Sequence, residues 1–369
     1  MPMTPRENLA SLLCRTGYEY APCQLDLCPT LWNEFKHRMD EAGTPDRRLE
    51  DYFGVKYFPT VGIPGPARKK TDPIDWTQFY THVPLAKDAS VDDTWGIGHE
   101  KGSAAAFHMT RMRHPMEQFN SVAQIEDYPW PDWSNESPET DEYMRKRVEE
   151  IHTEDRTAWA GMACTVWETA WYLRSMEQLM MDMIDDDPKA TALLDRVTAA
   201  ACDRARRYAR AGVDVLHLGD DIGMQSSPMM AISLYREWLK PRLKQVIDAA
   251  KRENPNIIID YHSCGYVLPF IDDLIEAGVQ VLNPVQPESQ TFEEVYDKWG
   301  NRLSFRGTLG TQTTMPFGTP EEVRAWVHKH LAIAGSKGGL FCVPTHILEP
   351  EVPWANVEAY VQACKDFRP

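Results

Sequence analysis

The sequence predicts an α/β fold, a (β/α)8 barrel with an N-terminal elaboration, and three observations carry that expectation. From about residue 156 onward, short β-branched or apolar runs alternate with helical stretches, the pattern of a parallel sheet covered by helices. The helices have readable starts and stops. A glycine-to-strand junction also repeats: Ala211-Gly212-Val213-Asp214-Val215-Leu216 returns as Ala277-Gly278-Val279-Gln280-Val281-Leu282, roughly two βα units later.

The runs that read as strands are AWAGMACT (158–165), VDVLHLG (213–219), IIIDYH (257–262), VQVLNPV (279–285), RLSFRG (302–307) and GLFCVP (339–344). Each carries a polar or liganding residue toward its C-terminal end. Between them, Asp187-Pro188 opens a helix that runs to Gly212, with the proline at a position where its missing N–H costs nothing. Leu234, Trp238 and Leu239 begin another that must bend or break at Pro241. Thr319-Pro320-Glu321-Glu322 supplies an N-cap, a first-turn proline and a capping-box glutamate. Val323, Trp326, Val327 and Leu331 then share one face, and Gly335 is the stop.

Eight βα units take about 250 residues, which leaves roughly a hundred over. These are placed in the N-terminal part, where YFPTVGIPGPARKK and DYPWPDWSNESPE read as loops and short helices. The expected organisation is one barrel domain over 1–369, with 1–90 packed on a body formed by 91–369.

Composition narrows the function classes. The chain has 369 residues, 43% hydrophobic and 25% charged, with a formal net charge of -16. No Lys/Arg run resembles a nucleic-acid footprint, and nucleic acid and anionic lipid are repelled. No apolar run reaches the roughly 18 residues of a membrane span, and the first residues contain no export signal. Eight scattered cysteines lack the density of a disulfide scaffold, so a cytoplasmic, reducing setting is expected.

The chemistry concentrates at strand ends. His262 and Cys264 lie two apart at the end of IIIDYHSC, so extended geometry puts both on one face. Cys342 ends another strand, and parallel strands present their C-terminal ends to the mouth where barrel active sites lie. An imidazole and two thiolates make a three-ligand set for catalytic Zn2+, with a fourth position open to water, substrate or a protein carboxylate. Such an ion binds a thiol as thiolate or polarises a leaving oxygen. The alternative is two buried structural cysteines and a core histidine. Asp260-Tyr261-His262-Ser263-Cys264-Gly265 also spells D-x-H-x-x-G, a pattern of cobalamin domains, without the elements that should follow it.

Around this set, Asp220 and Asp221 are candidates for acid/base work, against helix capping. Glu168 is the candidate exchangeable fourth ligand, although a glutamate opening a helix is equally explained by the macrodipole. His217, Tyr261, Asn283, Gln286 and Arg306 are assigned to substrate binding. His217 could also be a hydrogen-bonded core histidine, and Asn283 a turn former. Gln312, His346 and Glu349 lie on segments that could flank the mouth.

GVDVLHLGDDIGMQ, SLYREWLKPRLKQVIDAAK, DYHSCG, VLNPVQPE and FGTPEEV together resemble the uroporphyrinogen decarboxylase superfamily over roughly residues 90–365. They are most similar to its zinc-dependent methyltransferase branch, whose H-x-C-x(n)-C motif is matched by His262, Cys264 and Cys342. The resemblance implies a methyl group moved between a small O-methyl, N-methyl or thiol compound and the cobalt of a methyl-corrinoid (cobalamin) on a separate protein, and a possible homodimer. The decarboxylases lack that metal set, and their arginine-rich N-terminal signature is poorly met by Arg15-Thr16-Gly17-Tyr18. Decarboxylation is therefore the minor expectation, and a non-catalytic zinc-containing binding barrel a third.

Overall fold

A computed structural model of the chain describes residues 2–66, 73–102, 110–134 and 138–369. Residues 67–70 of the first proline-rich stretch and 135–137 of the second lie outside the described residues. The strands are β1 (Thr60–Val61), β2 (Ser90–Val91), β3 (Gly98–Glu100), β4 (Arg111–Arg113), β5 (Trp159–Ala163), β6 (Val215–Gly219), β7 (Ile258–His262), β8 (Val281–Asn283), β9 (Ser304–Arg306) and β10 (Leu340–Phe341).

Seven of them form an all-parallel sheet in the order β1-β5-β6-β7-β8-β9-β10, and β2-β3-β4 form a small antiparallel sheet. Every strand expected from the sequence is present. The expectation of loops and short helices missed β1, because two residues bounded by proline carry no readable period. Residues 24–28 link the two edges of the sheet without being paired as a strand of it. Phe58 N–H donates to Gln24 Oε1, Leu27 bridges Leu348 in parallel, and the Cys28 and Leu348 amides exchange bonds with Leu348 O and Asp26 O. Phe58 meets Phe341 edge-on at 5.6 Å, which brings the two ends of the sheet together.

The helix ends follow the residues that encode them. Asp187 accepts from Lys189 N at 2.9 Å and opens the 24-residue helix Pro188–Ala211, which ends on left-handed Gly212 at φ 87. Its partner in the helix layer, Lys240–Glu253, is preceded by a π turn over Tyr235–Leu239. Pro241 lacks an N–H and crowds the preceding turn, and widening that turn accommodates the proline without ending the helix. Thr319 and Glu322 form a reciprocal capping box at the head of Pro320–Ala334.

One carboxylate gathers several of the ties between the N-terminal elaboration and the barrel. Asp214, at the foot of β6, accepts from Arg6 Nη2 at 2.7 Å, His152 Nε2 at 2.9 Å and Ala158 N at 2.7 Å. Asp214→Ala strips three donors of their acceptor at once. Urea unfolding of this variant is expected to show a loss of about 1–3 kcal/mol with the m-value unchanged.

Candidate functional site

Burial on both faces of β7 makes its inward polar residues unusual: Asp260 is fully buried and the His262 side chain is one-fifth exposed. Arg306, at the end of β9, reaches across to Asp260 through Nη2 at 2.8 Å and Nε at 3.1 Å. His217 of β6 approaches the same carboxylate through Nδ1. Burial alone would raise the pKa of Asp260, but Arg306 and His217 outweigh it and hold the group down at about 2.

Arg306 also fixes the histidine at the mouth. Its Nη2 donates to Asn283 Oδ1 at 2.8 Å, and Asn283 Nδ2 donates to Arg306 O at 2.7 Å, so the amide orientation is determined. His262 Nδ1 lies 2.7 Å from that same Oδ1 and must therefore be the donor. Its Nε2 keeps the lone pair. A second structural requirement is met at Gly219, where a Cβ would lie 2.7 Å from both Cβ and O of His262.

Nε2 of His262 faces Cys264 Sγ at 3.3 Å. Cys264 sits on a turn held by three contacts: Cys264 N donates to Asp221 Oδ1 at 2.7 Å, Gly265 N to Gln286 Oε1 at 3.0 Å, and Gln290 Nε2 to Gly265 O at 3.1 Å. Gly265 is left-handed at φ 80 and packs on the backbone of Gly223 and Met224, a conformation and a spacing that exclude a side chain. Exposed His346, after β10, completes the group: ligand atoms of His262, Cys264 and His346 all lie within 4.8 Å of one another.

The electrostatics suit a cation. Burial pushes the Cys264 thiol far above its ordinary pKa, and the Asp221 and Glu168 carboxylates push it further. Burial and Asp221 also raise Glu168 to about 7, and burial lowers His262 to about 4 against the pull of Asp221. Two carboxyl groups and a thiol thus surround the neutral imidazole of His262. Borderline-soft nitrogen and sulfur donors, one with its tautomer fixed from behind, fit zinc.

Beside the group lies a cavity of about 260 Å³ lined by His217, His262, Asn283, Arg306, His346 and Gln24 among others. It runs on into a smaller one of about 170 Å³ toward Phe58, Thr60 and Trp159. Trp159 lies under the Arg306 guanidinium at 5.4 Å.

The remaining expected residues fall into two sets. Asp221 and Glu168 are at the mouth, joined by the Asp221 N–H to Glu168 Oε2 bond of 3.2 Å, with Tyr172 OH on Glu168 Oε1 at 2.9 Å. His217, Asn283 and Arg306 line the cavity. Gln286 reaches the site only by holding the Cys264 turn, and Gln312 binds Gln225 at the rim. Cys342 stands apart from the His/Cys group. Phe341 and Val343 line the cavity, so the intervening residue faces the helix layer, where its thiol meets Thr308 Oγ1 at 3.7 Å and is 1% exposed. Tyr261 likewise points outward from β7 and donates to Asp220 O at 3.2 Å. Asp220 is buried and accepts from Val166 N at 3.1 Å and Glu168 N at 2.9 Å, which makes it a remote cap of the helix Trp167–Arg174.

Sequence reading treated His346 as a flanking residue and passed over Asp260 and Gln24. A lone aspartate inside IIIDYH and a lone arginine ending LSFR were the available signals, since buried opposite charges need each other. Arg306→Met is expected to cost about 3–5 kcal/mol, because it leaves Asp260 buried without its guanidinium counter-charge and with only His217 as partner. The depressed pKa of Asp260 stabilises the fold above the unfolded-state value of 3.8, and that contribution is lost as pH falls toward about 2. Acid titration of stability should therefore be shallower over this window in Asp260→Asn than in the wild type.

The uroporphyrinogen decarboxylase (URO-D) family model matches residues 105–367. A uroporphyrinogen decarboxylase of Pseudomonas syringae pv. tomato is 24% identical over 309 residues, covering 80% of this chain and 81% of the relative. A methylated-thiol–coenzyme M methyltransferase of Methanosarcina mazei is 25% identical over 201 residues, covering 53% of this chain and 50% of the relative. Among solved structures, a methyltransferase from Methanosarcina mazei superposes with a TM-score of 0.64 at 18% identity, over 99% of both chains, and shares the fold. With the family model spanning most of the sequence and the parallel sheet closed as a barrel, the chain belongs to the uroporphyrinogen decarboxylase family.

Proposed function

We propose that this chain is a zinc-dependent methyltransferase that moves a methyl group between a small O-methyl, N-methyl or thiol compound and the corrinoid of a separate protein. One observation carries the reading: His262 Nε2, Cys264 Sγ and an imidazole nitrogen of His346 converge at the mouth of the barrel beside a cavity. The methyltransferase relative and the methyltransferase that shares the fold support the transferred group.

His262, Cys264 and His346 would hold the zinc, and Asn283 would hold His262 in the tautomer that binds it. A zinc ion there would bind a thiol as thiolate or polarise a leaving heteroatom. One thiolate and two imidazoles leave the divalent ion a net positive charge, where two thiolates would have cancelled it. Asp221, with Oδ1 at 3.8 Å from His262 Nε2, and Glu168 behind it provide the balancing charge. No described helix is long and apolar enough to cross a membrane, and all eight cysteines are free, which supports a reducing compartment such as the cytoplasm.

The longer match to the Pseudomonas syringae relative favours decarboxylation as the second reading. Against it, Arg306 is the one guanidinium or ammonium among the described residues lining the cavity, and Asp260 already engages it. A substrate carboxylate would have to compete with that buried partner.

Elemental analysis of the purified protein should give one zinc per chain. Cys264→Ala should lose the metal and methyl transfer from methylcobalamin to a thiol. Cys342→Ala should keep both. His346→Ala should weaken zinc by more than the roughly 10–100-fold that loss of a supporting residue costs. A metal-free wild type that releases carbon dioxide from a porphyrinogen would reverse the order of the two readings.

A further inference from the structure

His217 contributes no atom to the His/Cys group, yet it lines both parts of the cavity, and its side chain is 18% exposed. Its protonation pattern can be counted. Arg306 Nη2 carries two hydrogens, one directed to Asp260 Oδ2 at 2.8 Å and the other to Asn283 Oδ1 at 2.8 Å. None is left for His217 Nδ1, although that atom lies 3.1 Å from Nη2. His217 Nδ1 therefore carries the proton and donates to Asp260, because a lone pair there would face a carboxylate oxygen. In the neutral ring Nε2 is then the basic nitrogen, and the side chain lines the cavity.

The arrangement exceeds what burial of Asp260 requires. Arg306 alone supplies a bidentate counter-charge. The carboxylate adds a fixed tautomer and a fixed orientation to an imidazole whose ring centroid is 6.0 Å from that of His262. A carboxylate-oriented imidazole with its second nitrogen open beside a substrate cavity is the arrangement of a general base.

We propose that His217, oriented by Asp260, is the catalytic group that takes the proton from the substrate heteroatom, an inference that rests on the methyltransferase reading above. For a thiol substrate, the S–H bond breaks, the proton passes to His217 Nε2, and the electron pair stays on sulfur. That pair then forms the S–CH3 bond, while the methylated corrinoid that gives up the methyl keeps the electrons of its broken bond. In the reverse direction His217 returns the proton to the leaving heteroatom. Asp260 and Arg306 are positioning residues that act through the imidazole.

The test separates proton transfer from metal binding and from methyl transfer. Full-length protein is loaded with Co2+ in place of zinc. The rate at which the thiolate-to-cobalt absorption appears is then measured at neutral pH with two probes: 2-mercaptoethanol, which must lose a proton, and pentafluorobenzenethiol, which is already ionised. In His217→Asn the alkanethiol rate should fall about 100-fold or more, while the arenethiol rate stays within about threefold of wild type. Asp260→Asn should show the same selective loss, which keeps the test informative if either variant folds poorly. Equal slowing of both thiols, or none, would overturn His217 as the proton acceptor and leave the metal reading intact. Failure of the wild type to bind cobalt, or to give the absorption with either thiol, would overturn the methyltransferase reading and this inference with it.

Discussion

A single buried ion pair, Arg306 with Asp260, sets the chemistry of the barrel interior. Two charges taken out of water stabilise little by themselves, and a hydrophobic pair of similar volume could replace them without loss of stability. Their effect here is directional. The carboxylate decides which nitrogen of His217 carries its proton, and the guanidinium, through Asn283, decides the same for His262. Two imidazoles from neighbouring strands thus receive their orientation from one salt bridge. The site is ordered from its floor upward, before any ligand arrives.

The surroundings of Cys264 follow a different logic. Its turn is fixed by backbone contacts to Asp221, Gln286 and Gln290, and by two glycines that pack without side chains between them. Rigidity on the thiol side and tautomer control on the histidine side converge at one point. The acidic groups there are mutually repulsive when ionised, and a divalent cation relieves that repulsion. His346 comes from an exposed segment after β10 and is the member of the group with the least support from behind.

Much of this was legible in the sequence, and the failures have physical causes. Strand positions, helix caps and the irregular turn ahead of Pro241 are local properties, encoded within a turn or two of the residues concerned. His262 and Cys264 were legible because they share a strand end. Cys342 was expected beside them and lies on the other face of its strand, because a period of two assigns neighbours to opposite faces and the phase is set by pairing across the sheet rather than by residue type. The same parity took Tyr261 out of the cavity. Asp220 has the residue type of an acid and the surroundings of a helix cap, and only its distance to the Val166 and Glu168 amides separates the two. The family resemblance gave the motif and its spacing, and in the structure the imidazole of His346 lies beside His262 and Cys264 while Cys342 stands apart.

Residues 24–28 close the barrel between β1 and β10 and contribute Gln24 and Asp26 to the cavity wall. They meet residues near 348 in space while standing more than three hundred positions away in the chain, so the closing contact is among the longest loop closures the fold makes. A polypeptide emerging from the ribosome holds this segment early and must keep it unpaired until almost all of the barrel has been synthesised. Contacts so distant in sequence slow the search for the native topology and prolong the exposure of open sheet edges. Assembly of the cavity is thereby coupled to the last steps of folding, and a partly folded chain presents the Cys264 turn without a finished cavity beside it.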